Sequence, residues 1–139
     1  MTMSRTENKN STSATVGMQE VLTELVRTAL RDSADVLSIA IGDRQGLPII
    51  NATRGTVPVM AYTATATMSL RAARAAAEAV GMAPPEYVLV QSPTESLVIL
   101  DCGSSGAALV AQLRANSNLG LCLVILRKLA DRISASIGE

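Results

Sequence analysis

The sequence predicts an α+β fold, a five-stranded antiparallel sheet sandwiched by helices in the order αββαβββα. Two observations carry this. Three stretches repeat apolar residues at the i, i+3, i+4 spacing of amphipathic helices, and five short strand-like runs are joined by polar or glycine-bearing links. The runs group as a hairpin and a three-strand meander, which short turns can connect only antiparallel. A length of 139 residues suits one domain with one core.

Residues 1–15 are rich in Ser, Thr and Asn and lack periodicity, so they read as a disordered tail ahead of a single domain over 16–139. Met18, Val21, Leu22, Leu25, Ala29 and Leu30 then mark the buried side of a first helix over 18–31. Glu20 and Glu24 come early and Arg27 and Arg31 late, in the sense that suits the helix dipole. The runs Val36–Ile41 and Leu47–Ala52, linked by Gly42-Asp43-Arg44-Gln45-Gly46, form a hairpin. Pro48 cannot donate to a ladder and places the second strand on an edge. Residues 53–58 form a turn-rich connection.

The segment 59–80 is alanine-rich, with no glycine or proline inside, and reads as a helix. One face carries Ala66, Leu70, Ala73, Ala77 and Val80, and the opposite side carries Ala61, Ala64, Met68, Ala72, Ala75 and Ala79. A narrow polar stripe holds Thr67, Arg71, Arg74 and Glu78, with an i, i+4 pair expected between Arg74 and Glu78. A helix covering a monomer needs one buried face. The second apolar face either reflects alanine as a plain helix former or is the seam of a homodimer, its small side chains admitting a two-fold-related helix. The polar stripe is either a solvated face or a partner contact.

Gly81 and Pro84-Pro85 end this helix. Strands follow over 86–91, 97–102 and 107–113, and a last helix runs over 119–137 with Cys122, Leu126, Leu129, Ile133 and Ile137 inward. Its start can be capped by Asn116, Ser117 or Asn118. Gly103-Ser104-Ser105-Gly106 lacks the Lys-Ser/Thr ending of a phosphate loop and leads into a strand, so it is a hairpin turn.

Composition excludes much chemistry. There is no His, so Ser-His and Cys-His nucleophile pairs are ruled out, and the two cysteines, Cys102 and Cys122, lie outside any metal or redox spacing. Both sit in apolar runs and read as buried, reduced thiols. Twelve Lys and Arg balance twelve Asp and Glu, which argues against a nucleic-acid partner. No apolar run approaches the ~20 residues of a membrane span. The expectation is a cytoplasmic, non-enzymatic protein with no cofactor, no metal site and no membrane insertion.

The pattern resembles the Roadblock/LC7 (dynein light chain-type) family, in the manner of a prokaryotic GTPase-regulator-like member. Asn116-Ser117-Asn118-Leu119-Gly120-Leu121 is similar to the family's Asn-Leu-Gly-Leu junction, and Ser38 to Ile49 is similar to its hairpin with an Asp-x-x-Gly turn. The alanine-rich middle helix fits as well, and the likeness spans about residues 18–137. It implies a five-stranded sheet with the middle helix on one face and the outer two on the other. It further implies a homodimer through the middle helix and the third strand, adding Glu86, Tyr87, Val88 and Val90 to the seam. Family members bind Ras-like small GTPases or adapt larger complexes, so the implied role is a GTPase regulator or scaffold, with Thr67, Arg71, Arg74 and Glu78 as candidate contacts. The alternatives are a nucleotide-independent light-chain-like adaptor and, from another class, a small-molecule sensor.

Overall fold

The computed structural model describes the backbone of residues 2–137 and the side chains of residues 17–137. The helix α1 (Thr2–Asp32) leads into β1 (Val36–Gly42) and β2 (Pro48–Thr53), followed by α2 (Val59–Ala79). Then come β3 (Val88–Gln91), β4 (Ser96–Asp101), a single 3-10 turn at Gly103–Ser105, β5 (Ala108–Leu113) and α3 (Leu119–Ile137). This is the expected order. One expectation is corrected: residues 2–15, read from composition as a disordered tail, are helical in the backbone, so the first helix begins at Thr2 rather than Met18, and Glu20 and Glu24 lie in its interior rather than its first turn.

The strands form one antiparallel sheet in the order β2-β1-β5-β4-β3. Its centre, β1 and β5, is covered on both faces, which is why Val36-Leu37-Ser38-Ile39-Ala40-Ile41 shows no clean alternation of apolar and polar residues. Ile39 and Ile41 face a large core shared with Leu22 and Val26 of α1 and Leu126 and Ile133 of α3. Ala40 points the other way, into a smaller core with Ala66 and Leu70 of α2 and Ile99, Ala108 and Val110 of the sheet. The middle helix and the outer pair therefore take opposite faces, as the resemblance implies.

Pro48 opens β2 on the sheet's outer edge, beside a register shift between Ile41 and Gly42, so its missing N–H costs no ladder bond. At the other edge β3 is shorter than expected, starting at Val88 rather than Glu86. Extending the Val88–Ile99 register by two residues would set Glu86 opposite Asp101, and like charges directly opposed disfavour pairing. Glu86 turns instead toward Arg127 of α3, 3.5 Å away.

Local bonds fasten the ends. Among the three candidate caps, the Asn118 side chain accepts from the Leu121 N–H at 3.1 Å. The C-terminal end of α1 is held by a residue that periodicity does not single out. The Arg54 guanidinium donates to the carbonyls of Ser33 at 3.1 Å and Val36 at 3.0 Å, and also to that of Leu30. It satisfies helix-end carbonyls and brings a cation to the negative end of the dipole. Arg54→Ala is expected to cost about 1.5 kcal/mol, the low end for bonds made by a charged donor, measured as a lower urea midpoint with unchanged slope.

Candidate functional site

The inner face of α2 is packed: Thr63, Ala66, Thr67, Leu70 and Ala77 are buried. The opposite face is bare. Ala61, Met68, Ala72, Ala75 and Ala79 are exposed, as sequence spacing predicts, and Ala64 is half-buried. Met60 and Met68 are each 64% exposed, and Val80 is 72% exposed rather than part of the inner face. Val80 falls in the C-cap, where the helix ends and Gly81 takes a left-handed φ of +74°.

The edge strand β3 lies beside this helix and pairs with β4 alone among the described strands. Val90 is 48% exposed. Tyr87 and Val88 are half-buried and pack into the chain's own two cores, Tyr87 on the α1/α3 face and Val88 on the α2 face. Glu86 is exposed but precedes the strand and faces α3. An apolar helix face and an open strand edge thus adjoin one another.

The polar stripe is placed differently from expectation. Thr67 is 6% exposed, and its hydroxyl has no hydrogen-bond partner among the described residues. The cause is the β1–β2 turn, which leans onto α2. There Asp43 Oδ1 accepts from the N–H groups of Gln45 and Leu47, both at 2.9 Å, and the Gly46 carbonyl accepts from Thr63 Oγ1 at 2.8 Å. A Cβ on Gly46 would stand 3.1 Å from Ala64 Cα, and φ there is +88°, so glycine is required twice over.

Arg74 does not pair with Glu78. Its guanidinium bonds Asp101 at the end of β4, 2.5 Å away. Arg71 donates to the Arg44 carbonyl at 2.5 Å, and Arg44 in turn donates to the carbonyls of Ser104 and Ser105 at 3.2 and 3.4 Å. Arg44, Arg71, Arg74 and Asp101, together with Glu78, Met82 and Pro84, line an open groove of about 820 Å³ beside α2. Sequence spacing misses Arg44 and Asp101 because they sit in or beside turns distant in sequence. Only the antiparallel register brings the β1–β2 and β4–β5 turns to one end of the sheet.

No metal-binding chemistry gathers here: among the described residues no group of three or more His, Cys, Asp or Glu converges. Cys102 and Cys122 are free and buried. Burial pushes the Cys102 thiol up to about 12, with smaller contributions from Asp101 and Asp131, and burial raises Cys122 as well. Neither is an activated nucleophile. Among the described residues no helix is long and apolar enough to cross a membrane.

No protein-family model matches the chain, and no curated protein matches it in sequence. Solved structures do match in shape. An MglB described in a tetrameric arrangement superposes with a TM-score of 0.79 at 18% identity, covering 87% of this chain and 90% of that one. The gliding protein MglB from Thermus thermophilus gives 0.78 at 17%, covering 87% and 91%. A Roadblock/LC7 domain from Streptomyces avermitilis gives 0.77 at 14%, covering 84% and 98%. The chain has the Roadblock/LC7 fold. Within the Roadblock/LC7 fold, the bare face of α2 and the edge of β3 are the elements that the sequence resemblance singles out.

Burial around α2 has consequences for stability. Replacing Thr67 by Val removes an unpartnered hydroxyl and is expected to raise stability by up to about 1 kcal/mol, read from the urea midpoint. Burial also pushes the Tyr62 phenol up to about 12, only partly opposed by its 3.0 Å hydrogen bond with Ser38. Tyr62 and Cys102, ordinarily near 10.0 and 9.0, hold their protons longer in the folded chain. Their contribution is whole below pH 9 and is lost as pH rises toward 12. The urea midpoint should fall across that window, and less steeply in Tyr62→Phe.

Proposed function

We propose that the chain is a Roadblock/LC7 family member that acts as a non-enzymatic, cytoplasmic homodimer and binds a small Ras-like GTPase as regulator or scaffold. The observation that carries this reading is the bare face of α2, lying next to the open edge of β3. A long alanine-rich face opposite a fully packed one has no role in covering a monomer, and small side chains let a second helix approach closely. An open edge strand invites another strand. A two-fold axis between the elements satisfies both needs at once, pairing β3 with β3 and α2 with α2. Self-association is supported by the tetrameric arrangement described for one structural relative, an MglB.

The paired α2 helices would form a platform for the GTPase. Arg71, Arg74 and Glu78 border it and remain candidate contacts, whereas Thr67 is too buried to be one. A preference for the GTP-bound partner arises only through differential contact with its ordered switch segments. Arg71 and Arg74 are held by the Arg44 carbonyl and by Asp101. That anchoring favours a docking role over reaching into a nucleotide site, and it keeps the nucleotide-independent adaptor as a specific second reading.

Ala72→Glu is expected to halve the mass of the dimer in sedimentation; an unchanged mass would remove the helix seam. R71E/R74E should abolish GTPase capture while leaving the dimer intact, since a half-exposed ion pair contributes at most about 1 kcal/mol. The deciding experiment is capture from the protein's own cell lysate with GDP or a non-hydrolysable GTP analogue. A Ras-sized partner retained only with the analogue supports regulation. Equal retention in both establishes the adaptor.

A further inference from the structure

On the face of the sheet away from α2, the helices α1 and α3 lie side by side and enclose an open groove of about 500 Å³. Its apolar lining comes from Val21, Leu25 and Ala29 of α1 and Ile125 and Leu129 of α3. Apolar side chains continue outward along α3, where Leu121 and Val124 are 55% and 52% exposed. At 121, 124, 128 and 132 the spacing keeps these residues and the two basic ones on a single stripe.

The charges on this groove are sorted by helix. Every charged residue that α1 contributes, Glu24 and Asp32, is acidic, and every one that α3 contributes, Lys128 and Arg132, is basic. Among the described residues the two rims do not bridge the groove. Glu24 pairs instead with Arg31 of its own helix at 3.3 Å, an exposed contact of small worth. The surface is an apolar strip between an acidic and a basic rail, and among the described residues no ion pair joins the two rails across it.

We propose that this α1/α3 face binds a second copy of the chain, around a two-fold axis running along the groove. Rotation about that axis lays α1 of one copy over α3 of the other, twice. Glu24 and Asp32 then meet the basic rail and Lys128 and Arg132 the acidic one, with the apolar strips in contact between them. A two-fold axis across the groove would set acid on acid and base on base, which like-charge repulsion disfavours. The same patch therefore recognises itself in one orientation. This contact lies on the opposite side of the sheet from the α2/β3 seam and does not depend on it.

The test exploits the sorting of charge. E24K/D32K makes both rails basic, and K128E/R132E makes both acidic. The mass of the full chain is followed by sedimentation over about 1 µM to 1 mM, which brackets weak to moderate association. The wild type should gain mass across that range, from whatever state the α2/β3 contact sets. Each variant alone should associate at least about tenfold more weakly, as expected when rim charges repel. An equimolar mixture of the two should regain wild-type association, because every rail then faces its opposite. That recovery also shows that both variants are folded. A wild type of constant mass across the range would overturn the proposal. So would a mixture no better associated than its components, and the groove would then belong to a different protein's helix.

Discussion

Between α2 and the sheet the side chains are small: Ala40 and Ala108 from the strands meet Ala66 from the helix, with Leu70, Ile99 and Val110 around them. Dispersion contacts fall away steeply with separation, so a layer this thin draws the helix close to the strands. Much else follows from that close seat. The β1–β2 turn has to ride over the helix, where Thr63 bonds its Gly46 carbonyl and Thr67 is sealed beneath it. The same turn then supplies the carbonyl that holds Arg71 and the side chain that reaches Ser104. The arginine groove is thus an outcome of alanine packing several residues away.

The other face is built on a different scale. Leu22, Val26, Leu126 and Ile133 fill a core deep enough to need two helices, and Arg54 fastens the end of α1 to the strand that follows. With no Phe or Trp available, branched aliphatic residues supply nearly all of this volume. The two faces divide the labour: a thick layer gives most of the buried apolar area, and a thin layer presents a helix whose far side stays bare.

Element order, the edge position of β2, the stop at Gly81 and the opposed faces of α2 were legible because each depends on local spacing or on one residue's backbone chemistry. The resemblance supplied the assignment of helices to faces, which periodicity alone does not carry. What escaped was set by contacts between segments far apart in sequence. A helix wheel puts Thr67 beside Arg71 and cannot know that a turn some twenty residues earlier covers one and anchors the other. It pairs Arg74 with Glu78 because they are four apart, whereas Asp101, brought in by the register of β4 with β5, is the partner found. The early start expected for β3 failed for the same reason, since the cost of facing Asp101 is invisible within the strand itself.

The scarcity of aromatic rings has a practical side. With two tyrosines and no tryptophan, the near-ultraviolet signal of the chain comes from two chromophores alone. Tyr62 packs into the thin core under α2 and Tyr87 into the thick core on the other face. The molecule carries one optical reporter on each side of its sheet, and emission from single-tyrosine variants would register a disturbance of either layer separately.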